Sequence, residues 1–104
     1  MKILFNTDKT ISGDENQEDY FTSLIAEKLE RFQSQLTRIE VHLKDENGKK
    51  EGLNDIHCVL EARIEGREPM AVSCEADTAK NAVSGAIDKL KTALDTVLGR
   101  LKNH

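Results

Sequence analysis

Ten apolar residues (Ala79, Ala82, Val83, Ala86, Ile87, Leu90, Leu94, Val97, Leu98 and Leu101) recur at three- and four-residue steps through the last quarter of the chain. An α-helix turns once every ~3.6 residues, so this spacing puts all ten on one stripe and predicts a long amphipathic helix. Such a helix needs a sheet or a second helix to cover its apolar side, and that need constrains everything upstream. An earlier stripe, Phe21, Leu24, Ile25, Leu29, Phe32 and Leu36, predicts a first helix of about five turns. Asp14 followed by Gln17 fits a variant capping box at its start, and Glu15, Glu18 and Asp19 suit the positive end of the helix dipole.

Elsewhere the apolar period is two. Residues 2–6 (KILFN) read as a short strand, and a polar loop from Thr7 leads to the first helix. After it, Ile39, Val41 and Leu43 alternate with Glu40, His42 and Lys44, the pattern of a strand with one wet face. An Asn47-Gly48 turn and a polar stretch to Asp55 follow. Ile56, Cys58, Leu60, Ala62 and Ile64 then form one inward row, and Met70, Val72, Cys74 and Ala76 another, on either side of a turn at 65–68. Pro69 is admissible only at a strand start or edge. The order is β-α-β-β-β-α. The expected fold is α+β, a four-stranded sheet with two helices packed on one face, in one domain spanning 1–104.

At 104 residues one core is affordable, and 38% hydrophobic composition can close it. Aromatics are only 4% with no Trp, which argues against nucleic-acid binding by base stacking. The net charge of −4 argues against nonspecific attraction to RNA or anionic membranes. That average hides an asymmetry: residues 77–104 carry five basic and three acidic groups, a balance of +2, and residues 1–76 carry ten and sixteen, a balance of −6. With no signal peptide, no apolar run near the ~20 residues of a membrane span, and too few cysteines for a disulfide scaffold, the expected location is the cytoplasm.

Two basic lines run along the last helix. Lys80, Lys91 and Lys102 are eleven residues apart, which nearly superimposes them after three turns with about 16 Å between neighbours. Lys89 and Arg100 share that spacing on the stripe's other margin. Rails of this kind suit phosphates, because neutralising a nucleic-acid backbone releases counterions. An ordinary solvated helix face also carries such charges, and Asp88 and Asp95 lie near the first rail; on pattern alone the solvated face is favoured. Lys28, Arg31 and Arg38 extend the basic set toward the sheet, although Glu27 and Glu30 offer pairing within the first helix.

If the 65–67 turn holds three residues, paired positions sum to 132 and Cys58 faces Cys74. A metal edge needs two further ligands and His57 points to the other face, so buried free cysteines are the expectation and no metal is assigned. His42 and His57 fall on the open sheet face, within reach of Glu40 or Glu61. No nucleophile elbow, phosphate loop, dinucleotide fingerprint or metalloprotease helix accompanies them, so neither an enzyme nor a cofactor is expected.

Several strings resemble the ribosome hibernation-promoting factor family, also called the ribosome-associated inhibitor or sigma-54 modulation family. They are EKLERF in the first helix, RIEVHL in the second strand, LEARIEG before the hairpin, and KNAVSGAIDKLKTALDTVLGRLK in the last helix. The resemblance spans nearly the whole chain. It implies a fold like a double-stranded-RNA-binding domain and docking in the small-subunit channel that messenger and transfer RNA occupy. Lys28, Lys89, Arg100 and Lys102 match basic positions of the family pattern, whereas Lys80 and Lys91 come from the rails alone. The chain departs from short family members at Thr92, Asp95, Thr96, Val97 and Leu98, where basic residues are usual, and at Lys80, where an aromatic is common. Each missing cation removes about one released counterion from the salt dependence of binding. The chain looks like the short form, lacking the dimerisation domain of the long one, so any ribosome pairing would call for a second hibernation factor.

The leading expectation is a translation inhibitor that binds small-subunit rRNA during stress or stationary phase, with no membrane and no small-molecule substrate. The alternative is an acidic paralogue that kept the fold as a protein-interaction or regulatory module with little RNA binding. A small enzyme using His42 and His57 ranks last.

Overall fold

The computed structural model describes residues 2–7, 15–45 and 56–102, and the side chains of all these except residues 7, 15, 16, 45 and 99–102. Strand β1 (Lys2–Thr7) leads to helix α1 (Glu15–Lys28) and a 3-10 turn (Glu30–Phe32). Strands β2 (Leu36–Asp45), β3 (Ile56–Ile64) and β4 (Met70–Ala76) follow, and helix α2 (Ala79–Lys102) ends the chain. The β-α-β-β-β-α order is therefore the one the apolar periods predict. The capping residue Asp14 and the Asn47-Gly48 turn lie outside the described residues.

The sheet is mixed, in the order β1-β2-β3-β4. β1 runs parallel to β2, with Ile3 beside Ile39 and Phe5 beside Val41. The other pairs are antiparallel, and Cys58 stands opposite Cys74 across the turn that joins β3 to β4. Gly66, in that turn, has φ +75°, a conformation that glycine adopts without steric cost.

Both helices cover one face of the sheet. Phe21 and Ile25 of α1 and Leu29 just after it join Ile39, Val41, Leu43, Cys58, Leu60 and Ala62 of the sheet and Val83, Ile87, Leu90 and Leu94 of α2 in one core. Leu90 and Leu94 are fully buried, each stabilising the fold by about 2 kcal/mol through apolar burial. No polar or charged residue among those described is buried. Thr78 caps α2, its hydroxyl accepting from the Asn81 amide at 3.1 Å.

The first helix is shorter than its apolar spacing predicts. It stops at Lys28; Phe32 belongs to the 3-10 turn, and Leu36 opens β2. Phe32 and Leu36 are both buried although neither is in the helix, so a helical period continues past its end. The register shift between Leu36 and Arg38 lets Leu36 and Ile39, three apart, both face the core.

Candidate functional site

Helices on one face leave the charged candidates in two places, the groove between α1 and α2 and the open face of the sheet. The groove encloses about 150 Å³ and is lined by Leu24 and Lys28 from α1 and by Ser84, Ile87 and Asp88 from α2. Lys80 lies one turn before Ser84, and Lys91 one turn after Ile87, so both stand on the margin of α2 that borders the groove. Lys28 and Lys80 are exposed and Lys91 is half-buried. Among the described residues none of the three makes a hydrogen bond or ion pair. The lining itself carries one lysine and one aspartate; Lys80 and Lys91 add two positive charges along the same margin of α2, where Asp95 is already paired with Arg31.

The other candidates have internal partners. Arg31 pairs with Asp95 across from the 3-10 turn to α2, and its guanidinium lies 4.7 Å from the centre of the Phe32 ring. It pairs with neither Glu27 nor Glu30, the partners its sequence neighbourhood offers, because Arg31 has left the helix that would align them. Lys89 reaches the other way, donating to the Ser73 carbonyl at 2.7 Å and tying α2 to the edge strand β4. The two rail margins therefore differ: one borders the groove and the other anchors the helix. The side chains of Arg100 and Lys102 lie outside the described residues, although both positions are in α2.

Arg38 lies on the open sheet face, donating to Glu40 at 3.1 Å. Strand register gathers Lys2, Arg38 and Arg63 into one cross-strand row, with Glu40 and Glu61 in the next. Arg63 approaches Glu40 at 4.0 Å and Glu61 at 3.8 Å, so the acids close onto the arginines. Alternation alone places Arg38 and Arg63 on the wet face; Lys2 joins them only because β1 pairs parallel to β2, which no local pattern announces. His57 pairs with Glu75 at 3.6 Å, and His42 stands opposite Val59, one diagonal step from His57. The acids proposed to serve the histidines, Glu40 and Glu61, are engaged with arginine instead. Among the described residues no group of three or more His, Cys, Asp or Glu side chains is placed to hold a metal. Nor is any described helix long and apolar enough to cross a membrane.

Residues 6–102 match the family model described as "Sigma 54 modulation protein / S30EA ribosomal protein". Among solved structures, the N-terminal domain of Protein Y from Thermus thermophilus superposes with a TM-score of 0.73 at 18% identity, covering 93% of this chain and 99% of that one. A ribosomal subunit interface protein from Coxiella burnetii gives a TM-score of 0.65 at 16% identity, covering 95% of this chain and 99% of that one. Both likenesses establish the α+β fold. No curated protein matches the chain.

Proposed function

Since the chain belongs to the sigma 54 modulation protein / S30EA ribosomal protein family, we propose that it is a cytoplasmic translation inhibitor that docks on the small ribosomal subunit through rRNA phosphates. It blocks the channel for messenger and transfer RNA by occupancy, during stress or stationary phase, and makes or breaks no bond. The reading rests on the rim formed by Lys28, Lys80 and Lys91. Lysines without an internal partner keep their counterions until a polyanion releases them, so they favour phosphate most where no carboxylate has already neutralised them. Arg31, Arg38 and Lys89, whose partners hold them in place, shape and anchor the surface and supply little of its attraction. Arg100 and Lys102 prolong the basic helix by sequence, and a second hibernation factor is the further partner this role implies.

Cosedimentation with small ribosomal subunits tests the reading. The triple charge reversal K28E/K80E/K91E is expected to abolish binding at moderate salt while leaving the thermal transition within about 3 °C of wild type, since none of the three is buried and none has an internal partner among the described residues to lose. Undiminished binding by a folded triple variant would remove this rim from the interface. The second reading, an acidic module that binds a protein, draws on the net charge of −4 and on the internal pairing of Arg31 and Arg38. It requires association that is insensitive to salt.

A further inference from the structure

Cys58 and Cys74 are the chain's two cysteines, and both are free thiols. The β3–β4 register sets them directly opposite each other. Directly opposed residues of antiparallel strands have Cα atoms about 4.5 or 5.5 Å apart, depending on the kind of pair, and both values fall within the ~4.4–6.8 Å that disulfides span. The strands thus already supply the separation that a crosslink needs. Access is unequal. Cys58 is fully buried, whereas Cys74 is half-buried on the edge strand, with its sulfur lying against Gly85 of α2 where no Cβ intervenes. Burial, with a smaller contribution from Cys74, pushes the Cys58 thiol up to about 12, which leaves Cys58 inert as a first target at neutral pH.

We propose that Cys58 and Cys74 form a dithiol modification site that hydrogen peroxide closes, through Cys74, to an intramolecular disulfide joining β3 to β4. The Cys74 thiolate attacks one peroxide oxygen; the O–O bond breaks, Cys74 becomes a sulfenic acid, and the hydroxide released takes up the proton the thiol lost on ionising and leaves as water. The Cys58 sulfur then gives up its proton and attacks the Cys74 sulfur; the S–O bond breaks and the hydroxyl departs with that proton as a second water. Two thiols lose two hydrogens and two electrons, and one peroxide becomes two waters. Closure draws the Cys74 sulfur away from Gly85, at the point where α2 rests on β4 and one residue from the Ser73 carbonyl that Lys89 holds. The oxidation state of the pair therefore bears on how α2 is seated, independently of what the lysine rim binds.

The test treats the whole reduced chain with hydrogen peroxide, blocks remaining thiols and maps the digest by mass spectrometry without reduction. The expected product is a monomer with a Cys58–Cys74 linked peptide, no free thiol, and full reversal by dithiothreitol. Its melting temperature should rise by roughly 5–10 °C, because the crosslink restricts the unfolded chain. In the C58A variant, peroxide should stop at Cys74 sulfenic acid, trapped by dimedone. Wild-type protein in which Cys74 proceeds to sulfinic acid while Cys58 stays a free thiol would overturn the proposal. Crosslinking between chains through Cys74 alone would do the same.

Discussion

Cys58 ionises far above the ordinary thiol range because the core offers its thiolate no water and no cation. The folded state therefore holds this proton more tightly than the unfolded chain, whose thiol follows the model value of 9.0. Stability from this group is complete below pH 9 and declines as pH climbs toward 12, by at most about 1.4 kcal/mol per unit. Chemical denaturation under reducing conditions at pH 8 and pH 10.5 should show a steeper loss for wild type than for C58A. Gly85 poses the opposite problem, one of space. A methyl there would gain up to ~1 kcal/mol of helix propensity yet collide with the Cys74 sulfur, and overpacking costs about 1–3 kcal/mol. G85A should lower stability by about 1 kcal/mol in wild type and raise it in a C74A background, a sign change that urea titration of the four proteins would detect.

The elements differ in how much of each was legible. In α2, apolar spacing marks the buried stripe, and the burial of Ala82, Val83, Ala86, Ile87, Leu90 and Leu94 follows it residue by residue. Its start depends on Thr78, whose hydroxyl satisfies an amide that the helix leaves unpaired. T78A should cost about 1 kcal/mol and lower the melting temperature by about 5 °C, whereas T78S should keep most of that stability. The apolar spacing overshoots the end of α1 because Phe32 and Leu36 continue the helical period, and a stripe records only which side chains are buried. The Arg31–Asp95 pair links the 3-10 turn to α2, but both side chains are more than half exposed (60% and 52%), so solvent screening limits its contribution to well under 1 kcal/mol. R31A should therefore leave the denaturation midpoint nearly unchanged.

Across the whole molecule, total charge proves a poor guide to local charge. The chain carries −4, yet Lys28 in the groove between the helices and Lys80 and Lys91 along its α2 margin have no internal partner among the described residues, while acids and arginines interlock on the open sheet face. If the rim meets phosphate, the logarithm of the binding constant should fall against the logarithm of salt with a slope of about −3, one unit for each unpaired lysine. The single K28A variant should make that slope shallower by about one unit, measured by cosedimentation across a salt series. The candidate site was half legible: helical arithmetic placed Lys80 and Lys91 on one margin and Lys89 on the other, but nothing local showed that Lys89 anchors to β4.

What the sequence determined by itself was the kind and order of the elements, because the period of apolar residues follows from the geometry of a single helix or strand. The opposition of Cys58 and Cys74 was equally local, since a short turn allows few registers. The tertiary structure alone decided where β1 pairs, where α1 gives way to the 3-10 turn, and which cations have partners. Those outcomes depend on distances between residues far apart in the chain, such as Arg31 and Asp95 or Lys89 and Ser73, and no periodicity along the backbone encodes them.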